Sequence, residues 1–84
     1  KRGRALNYAA RFAAKEAFFK ALGTGYRGGI SFREVEVVND RLGKPGLKIS
    51  GRAKEIAENL GVRRHLLGIS HSDGYSVAVV ILED

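Results

Sequence analysis

The feature that most constrains the fold is a long stretch, from Ala5 to Leu22, whose apolar residues recur at helical spacing. Alanine is frequent in this stretch and has the highest helix propensity of any residue. Gly23 follows at the position where a glycine in the left-handed conformation ends many helices. The pattern therefore predicts a helix over Ala5–Leu22. The residues predicted to lie broadly on its apolar side are Leu6, Ala9, Phe12, Ala13, Ala17 and Phe19.

After this helix, the pattern predicts two hairpins separated by a shorter helix. Alternating apolar and charged residues are typical of strands, and clusters of glycine, asparagine and aspartate are typical of turns. In the shorter helix, which Ser50 or Gly51 can cap, apolar residues recur at i, i+3, i+4 and i+7. The predicted elements are a glycine-rich loop (23–29), strands Ile30–Val38 and Pro45–Ser50, helix Arg52–Leu60, and strands Leu66–Ser70 and Tyr75–Leu82 around the hairpin turn Ser72-Asp73-Gly74.

The chain length and this order of elements predict one domain over residues 1–84. We expect an α+β fold with a mainly antiparallel sheet packed against one long and one short helix. The 84 residues include no cysteine, which excludes disulfides and thiolate chemistry. A domain of this size has a thin core, so oligomerisation is the expected source of additional stability. No apolar run approaches the ~18 residues of a spanning helix, and no signal-peptide segment is evident, so we expect a cytoplasmic protein.

Positive charge is concentrated at the start of the chain. The formal net charge is +6, and residues 1–20 hold six Lys or Arg residues but a single acidic residue, Glu16. Such a field attracts polyanions: a nucleic acid, a phosphorylated small molecule or an acidic protein. A small nucleic-acid-binding module is therefore one alternative. It is disfavoured because the sequence has no RNA-recognition aromatic motif, zinc-ligand spacing or clear recognition helix, and because Phe12 and Phe19 are better explained as core residues.

Glu16 and Lys20 lie four residues apart and therefore on one face of the predicted helix. One interpretation is an exposed ion pair that contributes roughly 0.2–0.5 kcal/mol to helix stability. The other makes Glu16 an oxygen ligand for Mg²⁺ and Lys20 a partner for phosphate charge, a combination found where a metal bridges phosphoryl groups. The spacing permits both interpretations.

Several motifs, in the right order, resemble the holo-acyl-carrier-protein synthase branch of the 4'-phosphopantetheinyl transferases. The resemblance rests first on Phe12-Ala13-Ala14-Lys15-Glu16-Ala17-Phe18-Phe19-Lys20, with its aromatic residue, Lys-Glu-Ala triplet and following lysine. The remaining matches are Ala21-Leu22-Gly23-Thr24-Gly25, Gly43-Lys44-Pro45, Ile69-Ser70-His71-Ser72 and Ala78-Val79-Val80-Ile81. Together they span nearly the whole chain.

The resemblance implies transfer of the 4'-phosphopantetheine group from coenzyme A to a serine of an acidic acyl carrier protein, for fatty acid biosynthesis. It also implies a homotrimer with active sites between subunits, and Mg²⁺ held by Glu16 together with an Asp from a Gly-x-Asp strand. No such strand precedes the first helix in this sequence. We therefore expect a domain that lacks its N-terminal strand, and a catalytically inert domain of the same fold is the second alternative.

The resemblance also implies further binding residues. It makes Glu16 and Lys20 the catalytic residues, and it places His71 and Lys44-Pro45 beside coenzyme A. The residues predicted to bind coenzyme A are Lys20, His71, Arg11, Lys44, Pro45, Gly23 and Gly25. Helix capping is the primary role expected of Gly23 and Gly25. Arg2 and Arg4 are predicted to form a docking surface for the carrier protein.

Three other polar groups invite functional interpretations that we consider weaker. Asp40 and Asp73 are conceivable metal ligands, but both occupy predicted turns, where aspartate is common. A triad of Ser70, His71 and Asp73 is rejected because neighbouring strand residues face opposite ways. His65 is expected to lie in a solvated loop.

Overall fold

The computed structural model describes residues 8–25, 29–72 and 74–84 and contains two helices, a short 3₁₀ helix and four strands. The long helix ends at Leu22 as predicted, and residues 5–7 of its predicted span lie outside the described residues. The elements are α1 (Tyr8–Leu22), the 3₁₀ helix (Phe32–Glu34), β1 (Val35–Asn39), β2 (Pro45–Ile49), α2 (Gly51–Asn59), β3 (Arg64–Ser72) and β4 (Tyr75–Glu83).

The buried side of α1 differs from the predicted one. Its buried residues are Ala10, Ala14, Phe18, Phe19 and Leu22. Of the residues predicted on that side, Phe19 is buried, whereas Ala9 is exposed and Ala13 and Ala17 are only half-buried. The prediction failed because alanine is apolar but small, so the alanines of this helix fit an exposed face as well as a buried one. Leu6 lies outside the described residues.

The strand predicted from Ile30 begins only at Val35, because a capped 3₁₀ turn precedes it. The Ser31 hydroxyl accepts a hydrogen bond from the Arg33 N–H at 3.2 Å, and the Glu34 carboxylate accepts one from the Ser31 N–H at 3.4 Å. These reciprocal bonds form a capping box, whose Ser-x-x-Glu pattern is visible in the sequence. Phe32 therefore belongs to the 3₁₀ turn, and its partly buried side chain packs against the core.

The strands form two antiparallel hairpins, so the predicted α+β architecture is confirmed. Strands β1 and β2 pair from Val35 opposite Ile49 to Asn39 opposite Pro45. Strands β3 and β4 form nine residue pairs, from Arg64 opposite Glu83 to Ser72 opposite Tyr75. The prediction that His65 lies in a solvated loop is wrong, because this residue lies within β3, half-buried and opposite Leu82.

The core lies where α1 and α2 pack on the two hairpins. Its largest fully buried side chains are Phe18, Phe19 and Val35. Helix α1 contacts β4, β3 and β1, so one helix covers both hairpins, and β2 contacts β3. Helix α2 contributes the small side chains of Ala53 and Ala57 to the same core. This arrangement fixes α1 at the centre of the molecule.

One face of the β3–β4 hairpin is apolar and exposed. Five large side chains on it have exposed fractions between 48% and 63%. We call this surface the outer face of the β3–β4 hairpin, and its residues are Leu66, Tyr75, Val77, Val79 and Ile81. Side chains alternate along a strand, so the opposite face of the hairpin carries Leu67, which is buried. Within the described part of the chain, no helix is both long and apolar enough to cross a membrane.

Candidate active site

Glu16 and Lys20 lie on the side of α1 that faces away from the core. Each residue of an α-helix turns by about 100°, so Glu16 lies about 200° from both Ala14 and Phe18, which are fully buried. Glu16 is half-buried and Lys20 is exposed. We call this surface the outer face of α1, and its residues are Ala9, Ala13, Glu16, Ala17 and Lys20. It presents a carboxylate and an ammonium group one turn apart between small side chains.

The end of α1 next to Lys20 is fixed by a glycine cap. The Gly23 N–H donates to the carbonyl oxygens of Phe19 and Lys20, at 3.1 and 3.0 Å. Gly23 has φ +84° and Gly25 has φ +58°, backbone conformations that residues other than glycine rarely adopt. The capping role predicted for Gly23 is confirmed. The Thr24 hydroxyl donates to the carbonyl of the next residue, Gly25, at 3.2 Å.

A small cleft beside α1 combines aromatic rings and cations. Its volume is about 100 Å³, and its lining residues are Tyr8, Arg11, Phe12, Lys15 and Phe32. The prediction that Phe12 is a core residue is wrong, since 44% of its surface is exposed and its ring contacts Phe32 at a centroid distance of 5.3 Å. The Lys15 Nζ lies 4.7 Å from the centroid of the Phe32 ring, within the range of a cation–π interaction. Arg11 is therefore placed near a second cation.

Lys44 and Pro45 lie at the tip of the β1–β2 hairpin. Asp40 holds this tip, because its carboxylate oxygen Oδ1 accepts hydrogen bonds from the N–H groups of Leu42 and Lys44, both at 2.9 Å. The role of turn former expected for Asp40 is confirmed, because both hydrogen bonds fold the chain back across the hairpin tip. Lys44 is exposed, and Pro45 opens β2.

His71 lies near the turn of the β3–β4 hairpin, directly opposite Ser76. Its Nδ1 is 3.1 Å from the Ser76 hydroxyl oxygen, within hydrogen-bond distance. Ser70 is opposite Val77 and projects to the other face of the strand, which agrees with the rejection of a triad. Asp73, the third residue of that triad and one of the conceivable metal ligands, lies outside the described residues.

The fold distributes the predicted site residues over three elements, all joined through α1. Arg11, Glu16 and Lys20 lie on α1 itself, and α1 contacts both the strand that leads to Lys44 and the hairpin that carries His71. Among residues 8–25, 29–72 and 74–84, no group of three His, Cys, Asp or Glu side chains could hold a metal ion. Any cation bound at Glu16 by this part of the chain would therefore take most of its ligands from water or from a bound molecule.

Two polar contacts at the predicted site escaped the sequence reasoning. The first is the contact between Lys15 and the Phe32 ring. Predicting it would have required recognising that Phe32 lies in a capped turn and not in a strand. The second is the Ser76–His71 contact. A signal for the latter exists, because a two-residue hairpin connection after Ser72 places residues 71 and 76 opposite each other. Arg2 and Arg4, predicted to dock the carrier protein, lie outside the described residues.

Comparison with known proteins gives consistent matches across almost the whole chain. The sequence profile of the 4'-phosphopantetheinyl transferase superfamily matches residues 1–80. A holo-[acyl-carrier-protein] synthase from Geobacter sp. (strain M21) is 54% identical over 83 residues, which cover 99% of this chain and 66% of that protein.

Solved structures of the same class share the fold. The crystal structure of the synthase from Neisseria meningitidis aligns with a TM-score of 0.80 and 41% identity, over 87% of this chain and 58% of the other. That of the Helicobacter pylori synthase in complex with coenzyme A aligns with a TM-score of 0.76 and 31% identity, over 89% of this chain and 63% of the other. The chain thus spans less than two thirds of the length of each of these proteins.

Proposed function

The chain belongs to the 4'-phosphopantetheinyl transferase superfamily, and we propose from this that it transfers the 4'-phosphopantetheine group of coenzyme A to a serine of an apo acyl carrier protein. The product is the holo carrier protein used in fatty acid biosynthesis. Related proteins that carry the name holo-[acyl-carrier-protein] synthase support the proposal, since this chain is 54% identical to one of them. So does the similar fold of a synthase crystallised with coenzyme A.

The single observation that carries the proposal is the position of Glu16 and Lys20 on the outer face of α1. The buried residues of this helix pack the core, and Glu16 and Lys20 are not among them. Glu16 is half-buried although it faces away from the core, and Lys20 lies one turn further along. This pair suits a ligand that contains both a cation and phosphate groups.

A single carboxylate, that of Glu16, is compatible with the way in which proteins bind Mg²⁺. Mg²⁺ is commonly bound by one or two carboxylates and completed by water and substrate phosphates, so it does not require a cluster of protein ligands. Glu16 would supply a protein oxygen, and Lys20 would pair with phosphate charge. When bound, the metal would neutralise the negative charge that develops on the phosphate oxygens.

In the proposed reaction, the serine oxygen of the carrier protein forms a bond to the phosphorus that bears the pantetheine arm. The bond from this phosphorus to the bridging pyrophosphate oxygen breaks, 3',5'-adenosine diphosphate leaves with the electron pair, and the proton of the serine hydroxyl passes to water. This displacement requires alignment and charge neutralisation, and it needs no covalent intermediate on the protein. Lys20 contributes positive charge that is already in place before the reaction begins.

The remaining predicted binding residues would hold coenzyme A at its periphery. We assign phosphate contacts to Arg11 and His71, and a place beside the ligand to Lys44 and Pro45. All but Arg11 lie near the ends of hairpins, where exposed groups can reach a bound molecule. The excess of basic residues over the whole chain favours an acidic carrier protein as the partner. A cytoplasmic location is part of the same proposal.

We also propose that the protein assembles as a homotrimer with active sites between subunits. The support on this chain is the outer face of the β3–β4 hairpin, where five large apolar side chains are exposed on adjacent strands. Isolated exposed apolar residues are common on protein surfaces, whereas a continuous apolar patch is typical of an interface. Association of identical subunits through this patch would shield it from water.

Titration calorimetry with coenzyme A, with and without Mg²⁺, tests the proposed function. We expect magnesium-dependent binding that Glu16→Ala abolishes and that the matched substitution Glu58→Ala, an exposed glutamate on α2, leaves intact. Absence of coenzyme A binding under every condition would contradict the proposal and favour an inert domain of the same fold. Binding of nucleic acid that weakens steeply with salt and ignores both Mg²⁺ and Glu16 would favour the basic binding module.

A further inference from the structure

A cross-strand hydrogen bond orients the ring of His71. His71 and Ser76 are directly opposite in the β3–β4 register, and the distance between Nδ1 and the serine hydroxyl oxygen is 3.1 Å. His71 is exposed, whereas Ser76 is half-buried. An exposed histidine ring would otherwise rotate freely between several rotamers. The bond to a residue on the neighbouring strand restricts this rotation.

The hairpin geometry makes this contact reproducible. Gly74 has φ +86°, the left-handed conformation that a tight hairpin turn requires. The turn therefore fixes the register of the strand ends, from Ser72 opposite Tyr75 to His71 opposite Ser76. Directly opposed residues have Cβ atoms only about 4.5–5.5 Å apart, which is within reach of a serine hydroxyl.

Because the contact engages Nδ1, Nε2 is the ring nitrogen of His71 that remains available to a ligand. A hydroxyl can donate to the bare Nδ1 of a neutral imidazole, and it can accept from the Nδ1–H of a charged one. With the hydroxyl as donor, the neutral ring carries its hydrogen on Nε2, and the charged ring carries a hydrogen there as well. Nε2 is therefore an N–H donor directed away from Ser76 in the charged ring, and also in the neutral ring when the hydroxyl donates to Nδ1.

We propose that Ser76 is a positioning residue, which holds the His71 ring so that Nε2–H donates to a phosphate oxygen of the bound substrate. The proposal rests on the function proposed above, because it assumes that His71 contacts a phosphate of coenzyme A. It goes beyond that function by assigning a role to a residue outside the motifs that resemble the family. Ser76 itself does not touch the substrate.

Nitrogen-15 NMR of the histidine rings tests the first half of the proposal. Spectra recorded at alkaline pH report which ring nitrogen of neutral His71 carries the hydrogen, and His71→Ala assigns the signals. We expect the Nε2–H tautomer in the wild-type chain, a changed tautomer population in Ser76→Ala, and recovery in Ser76→Thr, which keeps a hydroxyl at the same position. An unchanged population in Ser76→Ala, or a wild-type ring with its hydrogen on Nδ1, would overturn the proposal.

Coenzyme A binding tests the second half through a double-mutant cycle. We expect Ser76→Ala to raise the Kd about three- to tenfold and Ser76→Thr to restore it. In the His71→Ala background, loss of the serine should have no further effect. An equal loss in both backgrounds, or none in either, would overturn the positioning role. Failure of the wild-type chain to bind coenzyme A would instead contradict the proposed function, and the tautomer measurement would then decide the role of Ser76. Circular dichroism checks that each variant is folded.

Discussion

The carboxylate of Glu34 accepts a hydrogen bond from the backbone N–H of Ala53 at 2.9 Å, across nineteen positions of the sequence. Glu34 thereby caps the first turn of α2, whose own N-cap residue, Ser50, makes no side-chain capping bond. The Glu34 carbonyl also accepts a bond from the Ser50 N–H at 2.9 Å. One residue at the end of the 3₁₀ helix thus holds the start of α2 through both its main chain and its side chain.

Stability should therefore depend on pH through Glu34. The hydrogen bond from Ala53 holds the pKa of this carboxyl below its usual value of 4.5. The unfolded chain then binds more protons than the folded one between the two pKa values, so stability rises with pH in that window. The contribution of Glu34 is present above pH 4.5 and is lost as the pH falls through the lower, folded-state pKa. Urea unfolding at a series of pH values measures it.

The matched comparison for this prediction is Glu34→Gln against Glu36→Gln. Glu36 is exposed on β1, and no capping role is assigned to it. We expect Glu34→Gln to lower the free energy of unfolding at neutral pH, with a difference from wild type that shrinks in acid. Equal pH profiles for the two variants would show that the cap makes no contribution.

Gly51 should not tolerate a side chain. Its φ is +59°, and a Cβ placed on it would lie 2.6 Å from the Oε2 of Glu34. Glu34 cannot withdraw without loss of its bond to Ala53, so we expect Gly51→Ala to cost roughly 1–3 kcal/mol. Gly43→Ala is the control, since Gly43 also has positive φ, +88°, but no atom lies within 4 Å of an added Cβ there. Chemical denaturation of both variants gives the comparison, and a Gly51→Ala variant as stable as Gly43→Ala would contradict the clash with Glu34.

The revised buried side of α1 predicts opposite outcomes for two phenylalanines. Phe18 is fully buried, so Phe18→Ala should destabilise the protein by about 3–5 kcal/mol. Phe12 is partly exposed and its ring contacts Phe32, so Phe12→Ala should cost about 1 kcal/mol. Equilibrium unfolding measures both values. A greater loss of stability in Phe12→Ala than in Phe18→Ala would support the helix orientation predicted from the sequence.

Lys20 should contribute to coenzyme A binding through charge. We expect Lys20→Ala to raise the Kd about tenfold, which corresponds to ~1.4 kcal/mol. Lys48→Ala removes another exposed lysine, on β2 and away from the outer face of α1, and should leave the Kd unchanged. Calorimetry at two salt concentrations separates this local effect from general screening, because screening should weaken both variants alike. Equal losses in the two variants would contradict a specific role for Lys20.

The outer face of the β3–β4 hairpin predicts a change of oligomeric state on mutation. Val79→Lys places a charge at the centre of this face and should convert the proposed trimer to a monomer with the same secondary structure. Val38→Lys is the matched control, since Val38 is also a partly exposed strand valine but lies on β1. Light scattering coupled to size-exclusion chromatography gives the masses. A wild-type monomer, or a trimer that survives Val79→Lys, would contradict the proposal.

The sequence alone predicted the fold where local signals agreed, and it failed where they competed. Gly23 marked the end of α1 correctly, because few residues other than glycine adopt positive φ. The start of β1 was missed because the alternation from Ile30 competed with the Ser31–Glu34 capping box, and the two reciprocal hydrogen bonds of the box prevailed. The buried side of α1 was missed because alanine gives almost no signal for burial.

For the candidate site, the sequence predicted which residues share a helix face but not where that face points. The spacing of Glu16 and Lys20 correctly placed both on one face of α1. It could not show that this face points away from the core, because that depends on which side Ala14 and Phe18 bury. The partner of His71 required the register of β3 and β4, which connects residues that are only five positions apart but on different strands.

The exposed apolar residues of the β3–β4 hairpin also bear on how the heat stability of this protein should be described. Subunits that bury such a face only on assembly unfold and dissociate in one coupled equilibrium, which follows mass action. The unfolding midpoint then rises with protein concentration instead of being a fixed property of the chain. A dilute sample would melt at a lower temperature than a concentrated one, although every intramolecular contact in the two is the same.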